Sequence, residues 1–275
     1  MTGPLVLKLG GELIETASAR AAFAQMAIAL QASRPLVVVH GGGRAIDAEL
    51  ARRQIAPQKV DGIRLTDAPT LEAVVAVLAG TANTELVAAL VMAGVRAVGL
   101  TGVDAGMAEA ARALDLGLVG DPDDADPSLL ELLMTQGYVP VVASLGIESG
   151  LTGAGILNVN ADVMACRLAA ALGAELIIAG TTVGVLDADG VLIPAVTVAG
   201  VAALIGDGTA TAGMVAKLSA CRAALEDGVP SVRLVDGRTF GAGVNPAALP
   251  GTTLTQHAAR KTAQTVGQRC THLQR

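Results

Sequence analysis

Residues 35–54 read PLVVVHGGGRAIDAELARRQ, and this stretch decides the fold class. The apolar, β-branched run at 35–39 has the length and composition of a buried strand. Three glycines at 41–43 turn the chain, and apolar positions at helical spacing predict a helix over 44–54. The same order stands before it, with a strand expected at 5–9 and a helix at 17–33. Strand, helix, strand, helix implies parallel strands joined by crossovers, with helices on the faces of the sheet. The expectation is an α/β protein.

Working outward, residues 55–66 are less regular and suggest a hairpin, and 69–92 are strongly helical, as two helices or as one with a bend near Gly80. A strand is expected at 96–100. The run 121–127 is acidic and broken by Pro122 and Pro127, which predicts a loop leading into a helix at Ser128. A strand at 138–143 and a glycine-rich hairpin at 146–157 follow. A second unit then reads helix 160–172, strand 175–179, strand and tight turn 185–190, helices 198–205 and 213–227, and strands 231–235 and 252–254. The boundary between two lobes is expected near 170–180, with one continuous sheet or two separate sheets both open. The resulting division is 1–175, 176–254 and a basic tail, 255–275, carrying Arg260, Lys261, Arg269 and Arg275. The tail reads as a solvated terminal segment.

Composition narrows the classes. Of 275 residues, 52% are hydrophobic and 16% charged, so a large core is available. Trp is absent and only Phe23, Phe240 and Tyr138 are aromatic, so aliphatic side chains must fill that core. A net charge of −6 argues against a general nucleic-acid binder. Cys166, Cys221 and Cys270 are too far apart in sequence for a metal motif and fit a reducing, cytoplasmic setting. The start of the chain reads as neither a signal nor a transit peptide, and no uninterrupted apolar run has the length of a membrane helix.

Five short stretches can carry chemistry. Lys8-Leu9-Gly10-Gly11 ends a strand, and an ammonium buried there is costly without a partner. The adjacent glycines would let backbone N–H groups approach phosphate oxygens. His40-Gly41-Gly42-Gly43 is a strand-to-helix turn, an anion site by geometry. It matches neither G-x-G-x-x-G nor the Walker A pattern, which weighs against nicotinamide enzymes and P-loop ATPases. His40 reads as structural rather than as a base. Arg64, between apolar neighbours, suits bidentate binding of a carboxylate, and Asp67 suits a helix cap. Asn158, Asn160 and Asp162 open a helix, where capping competes with substrate contact. Residues 208–217 form a small-residue loop opening a helix that carries Lys217, a second phosphate-type site. Two lysines beside two glycine-rich turns suggest phosphoryl transfer between two lobes.

The ordered motifs Lys-Leu-Gly-Gly, His-Gly-Gly-Gly, Gly-Ile-Arg-Leu-Thr-Asp, Asn-Val-Asn-Ala-Asp and Gly-Met-x-x-Lys resemble the amino acid kinase family from about residue 4 to Leu254. Residues 79–83 and 251–254 also fit. The resemblance implies an open three-layer αβα sandwich with a mainly parallel, eight-stranded central sheet. It implies ATP and Mg2+, and N-acetyl-L-glutamate phosphorylated on its side-chain carboxylate for arginine biosynthesis. Acetylaminoadipate, one methylene longer, and a non-catalytic amino acid sensor are the alternatives. By the same resemblance, Lys8 and Lys217 would stabilise the transferring phosphoryl group and Asp162 would organise them. Gly42, Gly43, Arg64 and Asn158 would bind substrate. Gly10, Gly11, Thr181, Gly184, Thr209 and Thr211 would face phosphates and nucleotide, with no protein metal site. Thr181 stands where the family pattern has Asp, so a nucleotide-side contact is altered. Arginine-inhibited members carry an extra N-terminal helix; with four residues before the first strand, the expectation is an arginine-insensitive homodimer, without nucleic acid or membrane partners.

Overall fold

The computed structural model describes residues 3–257 apart from 61, 151–154 and 211, and the side chains of 123 and 212 also lie outside the description. The expected basic tail beyond 257 and the expected nucleotide residue Thr211 therefore lie outside the described residues.

The first βαβα unit forms as its pattern dictates: β1 (Leu5–Leu9), α1 (Ala17–Ser33), β2 (Leu36–His40) and α2 (Gly43–Arg52). Thr16 starts α1 by accepting the Ala19 N–H at 3.1 Å, and Phe23, Met26, Ala27 and Leu30 form the stripe that it buries. Every residue of β1 and β2 is buried, as expected for parallel strands covered on both faces. The hairpin at 55–66 is β3 (Lys59–Val60) and β4 (Ile63–Arg64).

Residues 68–92 form one continuous helix: α3 (Ala68–Val75), a π-helical segment (Ala76–Ala82) and α4 (Asn83–Met92). The expected bend at Gly80 is thus a π segment, which changes the face that α4 presents to the sheet. Splicing two apolar runs makes 25 residues long and apolar enough, by length and composition, to cross a membrane, with 33% of the relevant window buried inside the protein.

The chain continues through β5 (Ala97–Thr101), β6 (Ala108–Arg112), β7 (Val119–Ala125), α5 (Ser128–Thr135), β8 (Val139–Ala143), β9 (Leu145–Glu148) and β10 (Ile156–Val159). The acidic run expected as a loop is largely strand β7. Pro122 is accommodated because the register with β6 shifts at Glu109/Ala110, a bulge that relieves the ladder beside the missing N–H. Strands β6, β7, β9 and β10 close into a small barrel.

The second unit holds α6 (Ala161–Ala171), β11 (Glu175–Gly180), β12 (Ala195–Thr197), α7 (Val198–Gly206), α8 (Ala212–Glu226), β13 (Val232–Asp236) and β14 (Gly251–Thr255). The strand expected at 185–190 reduces to a single bridge, Leu186 to Leu192. Asp187 Oδ1 closes the turn by accepting the Asp189 and Val191 N–H groups, so the pairing cannot extend.

One sheet of eight strands spans both units in the order β12-β14-β13-β11-β1-β2-β8-β5. All neighbours are parallel except β13 and β14. Strand order runs one way from β1 through β2 and the other way through β11. Such a reversal opens a crevice at the carboxyl ends of the strands, where ligands bind in open α/β sheets.

Candidate active site

The strand period of two sets the first contact. Leu5, Leu7 and Leu9 enter the core on one face of the sheet, so Lys8 points to the other face with Val6. On that face α6 begins. Asn160 caps it, its Oδ1 accepting the Asp162 N–H at 2.8 Å and the Val163 N–H at 3.4 Å. Capping therefore falls to Asn160, which leaves Asn158, in β10, free to line a pocket. Asp162 sits in the first turn, where the helix dipole favours a carboxylate.

Asp162 Oδ1 lies 2.7 Å from Lys8 Nζ, and Oδ2 accepts a hydrogen bond from Lys217 Nζ at 2.5 Å. Lys217 comes from the second turn of α8, because the helix already starts at Ala212. Burial pushes the Asp162 carboxyl up, but the two lysine charges and their hydrogen bonds outweigh it and hold the group well below the usual carboxylate range. One carboxylate against two ammonium groups leaves a net positive charge at the floor of the cleft. Such a charge suits an incoming anion.

The glycine turns close around this charge. Gly10 N–H donates to Ala179 O at 2.9 Å, tying the ends of β1 and β11. A Cβ on Gly11 would stand 2.8 Å from Gly43 N, so the two glycine loops pack backbone against backbone. A Cβ on Gly43 would meet nothing within 4 Å, so that position opens onto the cleft. Lys8, Gly10, Gly11, Asp162, Thr181 and Lys217 line one cleft of about 1030 Å³, into which Glu12 also reaches.

An adjoining pocket of about 640 Å³ shares the 41–43 loop and contains Arg64 and Asn158. Arg64 is 7% exposed. Its Nη2 lies 2.5 Å from Asp47 Oδ1, whereas its buried Nη1 has no hydrogen-bond partner among the described residues. A buried guanidinium edge left open beside a pocket points to a carboxylate ligand. Asn158 Nδ2 donates to Thr66 Oγ1 at 3.1 Å.

Two expected nucleotide residues lie elsewhere. Gly184 is buried against β14, where a Cβ would stand 2.5 Å from Thr252 Oγ1, and packing and φ +147° both favour glycine there. The Thr209 N–H donates to Asp207 Oδ1 at 2.9 Å in a tight turn before α8, outside the residues lining the cleft. Asp47 and Thr66, which orient Arg64 and Asn158, were not evident from the sequence. Asp47 lies in α2 and Arg64 in β4, 17 residues apart in the chain, and no local pattern marks that pairing.

Residues 3–236 match the amino acid kinase family. An acetylglutamate kinase of Solibacter usitatus is 44% identical over 241 residues, covering 86% of this chain and 93% of that one. An acetylglutamate kinase of Acidiphilium cryptum is 41% identical over 250 residues, covering 85% and 83%. The solved structure of smu.665 from Streptococcus mutans UA159 superposes with a TM-score of 0.79 at 28% identity, covering 94% of this chain and 100% of that one.

Proposed function

The chain belongs to the amino acid kinase family, and from that premise we propose that it transfers the γ-phosphate of ATP to the side-chain carboxylate of N-acetyl-L-glutamate. The products are N-acetyl-L-glutamyl 5-phosphate and ADP, and the activity is that of an acetylglutamate kinase in arginine biosynthesis. The observation that carries this reading is the Lys8–Asp162–Lys217 arrangement at the floor of a cleft beside Arg64, whose Nη1 has no hydrogen-bond partner among the described residues.

A carboxylate oxygen attacks the γ-phosphorus, and the bond from that phosphorus to the β,γ-bridging oxygen breaks. The nucleophile is already anionic, so no base has to remove a proton. Catalysis then rests on positioning and on charge. Lys8 approaches from β1 and Lys217 from α8, so the two ammonium groups can stabilise the transferring phosphoryl group from different sides. Asp162 keeps both in place. Gly11 offers its backbone N–H to the phosphates, whereas the Gly10 N–H is held by Ala179 O and Gly10 lines the cleft beside it. Gly42, Gly43, Arg64 and Asn158 hold the amino acid, with Arg64 Nη1 on the α-carboxylate.

Mg2+ enters as MgATP. The triphosphate's own oxygens would hold the ion, which would neutralise charge on the transferring phosphoryl group. Residues 1–175 serve as the amino acid lobe and 176–254 as the nucleotide lobe, where Thr181 replaces a carboxylate with a neutral hydroxyl. The chain acts in the cytoplasm as a homodimer. The open edge of β5, with Val91 54% and Met92 90% exposed on the neighbouring helix, supports a partner there.

Purified protein with MgATP and N-acetyl-L-glutamate is expected to release ADP and to form an acyl phosphate that hydroxylamine traps. Comparing kcat/KM with acetylaminoadipate separates the two substrates. No ADP release with either would leave a binding protein in place of an enzyme.

A further inference from the structure

We infer that His40 and Asn83 form a buried clamp that sets the position of the 41–43 loop and, through it, the binding of the amino acid substrate. His40 is the last residue of β2 and points to the face opposite Lys8, where α4 packs. Asn83 opens α4 directly after the π segment and is 5% exposed.

Hydrogen-bond chemistry assigns the imidazole proton in this cluster, where the Asn83 amide nitrogen also reaches Leu100 O at 3.4 Å. Asn83 Nδ2 lies 2.9 Å from Val141 O. A carbonyl only accepts, so the atom is the amide nitrogen. The same nitrogen lies 3.0 Å from His40 Nε2, so Nε2 must accept. The ring proton is then on Nδ1, which donates to Gly41 O at 3.1 Å. A one-way chain results, from the Asn83 amide through the imidazole to the carbonyl of the first loop glycine. Burial lowers the His40 pKa to about 4, so the ring keeps its acceptor at neutral pH.

The surroundings are shaped for this chain. A Cβ on Gly99 would overlap Asn83 Oδ1, so the amide lies flat against β5. The π segment grips the other side of the loop, since a Cβ on Gly42 would stand 3.0 Å from Leu78 and 3.3 Å from Val77. An apolar pair would fill the space at lower desolvation cost. A polar chain ending on the loop carbonyl instead specifies one loop position. His40 and Asn83 touch no substrate and act as positioning residues. The inference rests on the proposed kinase reading.

Three variants test it: Asn83→Ala, His40→Leu, and His40→Asn, which retains a donor near Nδ1. In the first two, KM for N-acetyl-L-glutamate is expected to rise about tenfold while KM for ATP moves less than about twofold. His40→Asn is expected to recover most of that loss. A lowered melting temperature with both KM values unchanged, or an equal rise in both, would overturn the clamp. Should the variants not fold, NMR of the wild-type imidazole nitrogens decides: a protonated Nδ1 and bare Nε2 support the clamp, and a protonated Nε2 overturns it. If the wild-type protein released no ADP with N-acetyl-L-glutamate, the kinase reading would fall. Hydrogen exchange at 41–43 in Asn83→Ala would then test the clamp alone, faster exchange supporting it and unchanged exchange refuting it.

Discussion

An ammonium at the end of an apolar strand is costly unless a carboxylate meets it, and Asp162 meets Lys8 and Lys217 together. Replacing either lysine with alanine is expected to lower kcat by about 10²–10³, read as ADP release, with the fold retained. An undiminished rate in either variant would remove that lysine from the mechanism. The glycines separate by what surrounds them. Gly11→Ala drives a Cβ into Gly43 N, a backbone atom, and is expected to cost about 1–3 kcal/mol by urea unfolding. Gly43→Ala meets open space and is expected to leave stability within about 0.5 kcal/mol while raising KM for the amino acid. His40 makes stability depend on pH. Its folded pKa of about 4 lies below the ordinary 6.5, so below 6.5 the unfolded chain takes up a proton that the folded one refuses. Stability should therefore fall as pH drops from 6.5 toward 4, by up to about 3 kcal/mol from this group, and His40→Asn should flatten that slope. Asp162 has the same sense lower down. Its pKa is depressed, so its contribution is lost as pH falls below the ordinary carboxylate value and through its own.

At the scale of elements, caps carry much of the site. Asn160 starts α6 and thereby aims Asp162 at both lysines. Asn160→Ala is expected to cost about 1 kcal/mol, a fall of about 2–4 °C in Tm, and to reduce kcat because the carboxylate loses its anchor. A rate unaffected by the lost cap would show that the lysines alone hold Asp162. Elements with strong local patterns were legible in the sequence: β1 and α1 have the expected limits, and Asp67 and Asn160 cap helices from their side chains. Strand β7 was not legible. Its prolines and acids carry the local signature of a loop, and only the closed barrel of β6, β7, β9 and β10 makes it a strand. The π segment was legible only as an irregularity at Gly80; that Val77 and Leu78 within it pack on Gly42 is a contact across the fold with no local mark.

Across the whole molecule, one sheet carries the ends of β1, β2 and β11 to a common crevice. Hydrogen exchange with ADP is expected to protect segments within 176–254, and with N-acetyl-L-glutamate those around Arg64 and Asn158. Protection by both ligands in one lobe would overturn the division of labour. The sequence by itself determined the alternation of strands and helices, the two lysine-bearing glycine turns and an arginine, Arg64, among apolar neighbours, because periodicity, glycine and charge are local properties. The organising role of Asp162 was expected from the resemblance; only the tertiary structure decided that its Oδ1 meets Lys8 and its Oδ2 Lys217, 209 residues apart, that Asp47 pairs with Arg64, that Gly184 packs on Thr252, and that His40 faces Asn83. Each of these depends on strand order and helix rotation, which bring distant residues together through burial of the whole core and leave no mark in any short stretch of chain.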